Sequence, residues 1–141
     1  LTYEEVYRDL FTVGENYVLA HCISADAKMG AGIAVEFKER FDLTQLQQMA
    51  KINSLKVGCC VLIGRTFNLV TKEVYWRKPT YETFTMALED MKNLSIEHGI
   101  KKIAMPQIGA GLDRLKWSRN KEIIQEVFND TDVEILVCNL K

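Results

Sequence analysis

Tyr17-Val18-Leu19-Ala20-His21-Cys22-Ile23, followed by Ser24-Ala25-Asp26-Ala27-Lys28-Met29-Gly30-Ala31-Gly32 and then Ile33-Ala34-Val35-Glu36-Phe37, decides the fold class. The first run is short, apolar and β-favouring without polar alternation, which is how a strand buried on both faces reads. The middle run is built from small and turn-forming residues. The third, extended to Phe41, sets Ile33, Ala34, Phe37 and Phe41 on one helical face. Buried strand, glycine loop and amphipathic helix in that order point to an α/β architecture.

Working outward, Leu43–Lys51 reads as a second short helix. Val57–Ile63 and Thr66–Thr71 flank Gly64-Arg65, the pattern of two strands joined by a tight turn. Pro79 and Thr80 open a helix with Glu82 in its first turn. Its apolar stripe is Phe84, Ala87, Leu88, Met91 and Leu94, and Gly99 closes it. Ile103–Met105 is a short strand ending at Pro106. Ser118 is the expected cap of a helix that buries Ile123, Ile124, Val127 and Phe128, and Val133–Cys138 is the last strand. The opening Leu1–Glu15, with four acids and one Arg, receives no element. Strands alternating with helices predict a mixed, mostly parallel sheet covered on both faces. Ligands of such sheets bind beyond the carboxyl ends of the strands. With parallel strands, the loops Ser24–Gly32, Thr71–Lys78 and Gln107–Arg114 meet at one rim.

At 141 residues, 48% apolar and 26% charged, the chain is sized and composed for one domain spanning 1–141. A net charge of −1 argues against a globally basic nucleic-acid binder. Between Lys101 and Lys121, six bases stand against Asp113 alone; that stretch either draws in an anion or is a solvated helix face. No apolar run exceeds five or six residues, so no membrane partner is expected. The first residues lack a basic-then-apolar leader pattern, and a start at Leu1 reads as a chain that has lost its beginning. Cys22, Cys59, Cys60 and Cys138 form no CxxC and lie in or beside apolar runs, so they read as packing thiols of a reducing compartment. Two histidines without ligand spacing predict no metal site. His21 reads as a core histidine and His98 as a cation in the last turn of a helix.

The tripeptide Gly-Ala-Gly occurs at Gly30–Gly32 and again at Gly109–Gly111. Glycine lets backbone N–H groups approach an oxyanion closely, and the first copy runs straight into a helix N-terminus. Two copies at one rim describe a clamp on two phosphates. Val35 stands where a dinucleotide fingerprint needs its third glycine, and no Gly-Lys-Ser/Thr occurs. Both facts argue against a Rossmann or Walker-type nucleotide site.

His21-Cys-Ile-Ser24, Met29-Gly-Ala-Gly-Ile-Ala34, Lys78-Pro-Thr-Tyr-Glu82, Met105-Pro106 and Gly109-Ala-Gly-Leu-Asp-Arg-Leu115 together resemble the macrodomain family. Within it they resemble the terminal ADP-ribose protein glycohydrolase branch, to which Gly-Leu-Asp-Arg-Leu followed by Trp117 is specific. The resemblance spans nearly the whole chain. It implies a three-layer α/β/α domain on a six-stranded mixed sheet, binding ADP-ribose over the strand ends without a cofactor. Asp9 would then hydrogen-bond the adenine amino group, with Leu10 packing nearby. Gly30, Ala31, Gly32, Gly109, Ala110 and Gly111 would hold the diphosphate and enclose the distal ribose. Ser24 would line the cleft near that ribose, with Thr71, Ile108 and Leu112 as further substrate contacts.

Lys72 closes the apolar run Asn68–Thr71 at a strand end that points to the same rim. An amine becomes a nucleophile only once it sheds its proton, which partial burial promotes. Asp113 closes the second glycine loop, where a carboxylate beside phosphates has either a capping or a proton-transfer role. In the resembling branch, the matching lysine attacks the anomeric carbon of the terminal ribose and the matching aspartate works as acid and base. The implied activity removes ADP-ribose from Glu and Asp side chains and deacylates O-acyl-ADP-ribose. A non-catalytic ADP-ribose reader shares the clamp; the Lys72–Asp113 pair separates the two. Arg8 and Cys138 depart from the branch, which has glycine and tyrosine there, so the adenine end is where binding would weaken. The expected partners are ADP-ribosylated proteins, poly-ADP-ribose or ADP-ribosylated nucleic acid. The expected protein is an intracellular monomer, nuclear or cytoplasmic.

Overall fold

A computed structural model describes residues 1–140. Six strands, β1 (Thr2–Tyr7), β2 (Val18–Ser24), β3 (Cys60–Ile63), β4 (Thr66–Lys72), β5 (Lys102–Met105) and β6 (Glu134–Asn139), form one sheet in the order β1-β6-β5-β2-β4-β3. Every neighbouring pair is parallel except β3 with β4. The helices are α1 (Ile33–Arg40), α2 (Thr44–Lys51), α3 (Tyr81–His98) and α4 (Trp117–Phe128), with a 3-10 turn at Leu10–Thr12.

The pleat sends alternate residues to two separate cores. Ala20, Phe67, Leu69, Ile103, Met105, Ile135 and Val137 pack against Phe84, Leu88 and Met91 of α3 and Ile124 and Phe128 of α4. Leu19, Ile23, Val70, Ala104 and Leu136 pack instead against Phe37 of α1 and Leu46 of α2. This is the expected three-layer α/β/α arrangement on a six-stranded mixed sheet.

Helix α3 begins where Pro79 and Thr80 predict. Thr80 Oγ1 accepts from Thr83 N–H (3.0 Å), and Thr83 Oγ1 accepts from Thr80 N–H (3.1 Å), a reciprocal cap. Thr83 Oγ1 also donates to the Thr71 carbonyl (2.6 Å), fixing the helix start to the end of β4. The β3–β4 turn carries Gly64 at φ +53°, and Arg65 beside it donates to the carbonyls of Tyr17 (2.7 Å), Gly14 (2.5 Å) and Val13 (3.3 Å). That clamp ties the hairpin to the entrance of β2.

Three expectations need correction. Helix α4 starts at Trp117 with Lys116 as its cap residue, so Ser118 lies inside the helix. The entry is set instead by the Lys116 N–H, which donates to the Tyr81 hydroxyl (3.1 Å). Strand β3 begins at Cys60 rather than Val57, because Gly58 at φ +91° and the Cys59 N–H to Lys56 carbonyl bond make a turn there. The acidic opening, left without an element, holds β1 and the 3-10 turn. β1 is an edge strand paired to β6 from the far end of the chain; Glu4 faces solvent, while Glu5 is half-buried and accepts from Trp117 Nε1 (3.2 Å), so the two acids mask the strand's pattern.

His21 is fully buried, its ring stacked on Phe37 at 3.8 Å and 4°. Asn68 donates through Nδ2 to the Val61 carbonyl (3.1 Å) and Thr66 Oγ1 (3.0 Å), which leaves its Oδ1 to accept from His21 Nε2 (2.5 Å). Nε2 therefore carries the proton and Nδ1 is the bare nitrogen. Burial pushes this imidazole down to about 4, against a smaller opposing pull from the Asn68 bond. The unfolded chain binds a proton near pH 6.5 and the folded ring does not, so stability is full above that pH and falls as pH drops toward 4. Urea unfolding at pH 7 and pH 4 is expected to show about 3 kcal/mol more acid destabilisation in the wild type than in His21→Gln.

Candidate functional site

Because β2, β4 and β5 run parallel, the loops that leave their carboxyl ends converge on one cleft of about 820 Å³. Ser24, Gly30, Ala31, Gly32, Lys72, Ile108, Gly109, Gly111, Leu112 and Asp113 all line it. Asp9, Leu10, Thr71 and Ala110 stand outside its lining.

The first loop is organised around Asp26. Its Oδ1 accepts from the Ser24 hydroxyl and the Lys28 N–H (3.2 Å), and its Oδ2 from the Tyr75 N–H (3.0 Å). Burial works to raise this carboxyl, but those bonds outweigh it and hold Asp26 below its usual range. Ala27 and Met29 adopt φ +51° and +46°, a left-handed conformation that non-glycine residues rarely take and that concentrates at functional sites. Gly32 at φ +62° then caps α1 with no side-chain partner, leaving the first-turn N–H groups of the helix without a capping side chain. A Cβ at Gly32 would lie 3.1 Å from Leu112 Cδ1, so the two glycine loops touch each other across the cleft.

The second loop is clamped from beneath. Asn120, fully buried in α4, donates to the Ile108 carbonyl (3.1 Å). Gly109, at φ +75°, leaves no room for a side chain, since a Cβ there would lie 2.9 Å from Asn120 Nδ2 and 3.2 Å from the Phe84 ring. The Leu115 N–H closes the loop onto the Gly109 carbonyl (3.0 Å), and Arg114 turns the chain at φ +63°. Within this frame Asp113 Oδ1 meets Lys72 Nζ at 2.6 Å. Both side chains are about 15% exposed, so the pair is shielded yet open to the cleft. Cys22 lies beside it; burial and the Asp113 carboxylate push its thiol well up, with Lys72 pulling the other way. That thiol is not a nucleophile.

At the carboxyl ends of β1 and β6 lies a second neighbourhood. Asp9 Oδ1 accepts from the Phe11 N–H (2.9 Å), capping the 3-10 turn, while Leu10 is buried in the α1/α2 core. Arg8 is tied to Thr12 through its hydroxyl (3.0 Å) and carbonyl (2.8 Å). Burial raises the Cys138 thiol, with the Arg8 cation pulling it down and the Asp9 carboxylate pushing it up, so these three groups are neighbours. Arg8 and Cys138, which depart from the resembling branch, thus sit beside Asp9.

Sequence reasoning missed Cys22, Lys28 and the pair Tyr75-Trp76, which also line the cleft. Two adjacent aromatics amid charges, outside any apolar period, were the available signal. Arg77 and Lys78 line it as well. The six bases of Lys101–Lys121 do not act together. Lys101, Lys102, Arg119 and Lys121 pair with acids, and Arg114 is the one that reaches the cleft. Among the described residues no three His, Cys, Asp or Glu side chains gather as a metal ion needs.

Fold and cleft define an α/β/α sandwich whose ligand site is built from paired glycine loops at the strand ends. The Macro domain model matches residues 20–124, and the chain belongs to that family. It is 43% identical over 133 residues to the human ADP-ribose glycohydrolase OARD1, a match covering 94% of this chain and 88% of that protein. The macrodomain of Thermus aquaticus DarG superposes with a TM-score of 0.88 at 23% identity, over 97% of each chain. Thermosipho africanus DarTG in complex with ADP-ribose superposes with a TM-score of 0.86 at 20% identity, over 98% of this chain and 41% of that one.

Proposed function

We propose that this domain is an ADP-ribose glycohydrolase that releases terminal ADP-ribose from glutamate and aspartate side chains, and deacylates O-acyl-ADP-ribose. The observation that carries this reading is the shielded Lys72–Asp113 pair, 2.6 Å apart at the wall of the cleft. A module that only binds has no use for an amine and a carboxylate held together beside the glycine loops. The likeness to a glycohydrolase over 94% of the chain supports the same reading.

In this reading the backbone N–H groups of Gly30–Gly32 and Gly109–Gly111 hold the diphosphate, and Ser24, Ile108 and Leu112 enclose the distal ribose. Asp9 Oδ2 takes the adenine amino group, its Oδ1 being committed to Phe11. Asp113 accepts a proton from Lys72, and the free amine attacks C1″ of the ribose. The Nζ–C1″ bond forms as the C1″–ester oxygen bond breaks, and the carboxylate leaves with the bonding pair. Asp113 returns a proton to the ring oxygen as the sugar opens to an imine on Lys72. Water then adds to the imine carbon, Nζ departs, and ADP-ribose is freed with the lysine restored. Proton transfer of this kind is worth about 10²–10⁴-fold, so Asp113→Ala is expected to slow turnover by that factor in single-turnover assays.

The deciding experiment uses a protein automodified with ADP-ribose on glutamates. Free ADP-ribose is followed by mass spectrometry, and borohydride is added to reduce any imine on Lys72. Release together with a trapped adduct on the Lys72 peptide is the expected result. Calorimetric binding of ADP-ribose without any release would make the domain a reader.

A further inference from the structure

Ser24, at the end of β2, is paired in register with Lys72 on β4, and both line the cleft. Neighbouring strands lie about 4.8 Å apart, so a sugar whose C1″ reaches Lys72 passes Ser24 as well. The Ser24 hydroxyl bonds to Asp26 Oδ1 and to no other group among the described residues. That oxygen also takes the Lys28 N–H (3.2 Å), and Asp26 Oδ2 takes the Tyr75 N–H (3.0 Å). Burial opposes the charge on Asp26, but those three bonds and the facing Lys28 cation keep it ionised. An ionised carboxylate only accepts, so the Ser24 hydroxyl is the donor. Its one proton is spent there, and only lone pairs remain for the cleft. The anchors come from two sides: Lys28 belongs to the loop after β2, and Tyr75 to the segment that leaves β4 just past Lys72. The carboxylate is thereby fixed, and the hydroxyl with it.

We propose that Asp26 is a positioning residue of this site: it holds the Ser24 proton away from the cleft and makes Ser24 a fixed acceptor for a hydroxyl of the distal ribose. The inference rests on the cleft holding ADP-ribose, and adds to it the role of Asp26 and the direction of the Ser24 bond. A free serine hydroxyl turns to suit a donor or an acceptor. With its proton fixed, Ser24 receives a ligand O–H but has nothing to give a phosphoryl oxygen or an ester carbonyl. The cleft thus sorts the substrate by chemistry. Phosphoryl oxygens, which only accept, belong against the N–H groups of the glycine loops, and a sugar hydroxyl, which can donate, belongs against Ser24. The bond to the carboxylate also polarises the hydroxyl and strengthens it as an acceptor. Asp26 touches no reacting atom and acts through Ser24. A simple brace for the loop would instead weaken every ligand of the glycine loops alike.

The test uses ADP, which shares the adenosine and diphosphate of ADP-ribose but lacks the distal ribose. The Kd for ADP divided by the Kd for ADP-ribose therefore isolates the ribose contacts. Calorimetry gives that ratio for wild type, Ser24→Ala, Asp26→Ala, the double variant and Asp26→Asn, each checked by thermal melting. Ser24→Ala should lower the ratio about tenfold, the worth of one hydrogen bond, and leave ADP binding unchanged. Asp26→Ala should lower it about threefold or more, because the freed hydroxyl must then be ordered by the ligand. The double variant should do no worse than Ser24→Ala, since the two residues act as one. Asp26→Asn should stay within about twofold of wild type, because an amide oxygen at the Oδ1 position keeps the Ser24 and Lys28 bonds. That variant keeps the test open if the alanine variant melts early. A ratio unmoved by Ser24→Ala or by a folded Asp26→Ala would overturn the assignment. So would a further drop on adding Asp26→Ala to Ser24→Ala, a loss in Asp26→Asn as large as in Asp26→Ala, or equal losses of ADP and ADP-ribose in Asp26→Ala. Ratios as expected without release from the automodified protein would sink the catalytic reading and leave the role of Asp26 standing; release with flat ratios would do the reverse. No binding of ADP-ribose by the wild type would remove both.

Discussion

Lys72→Ala is expected to cut ADP-ribose release by at least about 10³-fold while ADP-ribose itself still binds, because the nucleophile goes and the glycine loops stay. The alanine variant also strands Asp113, about 15% exposed, without its cation, which costs about 3 kcal/mol of stability. A loss of activity could therefore be blamed on the fold. Lys72→Arg removes that ambiguity. Arginine keeps the positive charge and can pair with Asp113, but its guanidinium does not give up its proton at any working pH, so it cannot attack C1″. The arginine variant should melt near the wild-type temperature and be as inactive as alanine. Single-turnover release, calorimetry with ADP-ribose and borohydride trapping separate the possibilities. Substantial turnover by Lys72→Arg would show that the lysine acts by charge alone, and the covalent route would have to be abandoned.

Gly111→Glu is expected to weaken ADP-ribose binding by about 100-fold or more with no change in folding stability. Gly111 is exposed, a Cβ there meets nothing within 4 Å, and its backbone needs no left-handed conformation. The folded chain therefore accepts a side chain. The cleft does not: a carboxylate beside a bound diphosphate adds repulsion of about 1–4 kcal/mol per charge pair, on top of the space it fills. Gly109→Ala makes the instructive contrast. Its Cβ would press on Asn120 and Phe84 at a positive φ, so it strains the fold itself. Calorimetry and thermal unfolding of Gly111→Glu settle the matter, since normal ADP-ribose titration by a folded variant would falsify the clamp.

Much of the fold was legible because it is written in local chemistry. The run Tyr17–Ile23 shows a strand buried on both faces, Thr80 and Gly99 bracket α3, and the repeated Gly-Ala-Gly marks two loops. Features whose cause lies elsewhere in the chain were illegible. β1 is a strand because β6 lies beside it, and its own acids hide that fact. Lys116, not Ser118, is the cap residue of α4, where the Tyr81 hydroxyl holds its N–H from another helix. The cations from Lys101 to Lys121 read as one patch, but most are answered by acids on other elements, including Asp132, Glu134 and Glu5.

The sequence alone determined the layers and the carboxyl-end rim, since apolar periodicity and turn residues act over a few positions at a time. It also singled out Lys72 and Asp113 as individual candidates through the motifs around them. Only the tertiary structure decided that the two meet at 2.6 Å, because 41 residues separate them and the contact depends on β2, β4 and β5 being parallel. The same parallel packing brings Tyr75 and Trp76 to one cleft with Lys28 and Arg114 from two other loops. Side chains that act together across a sheet are chosen by strand order and register, which no single segment encodes.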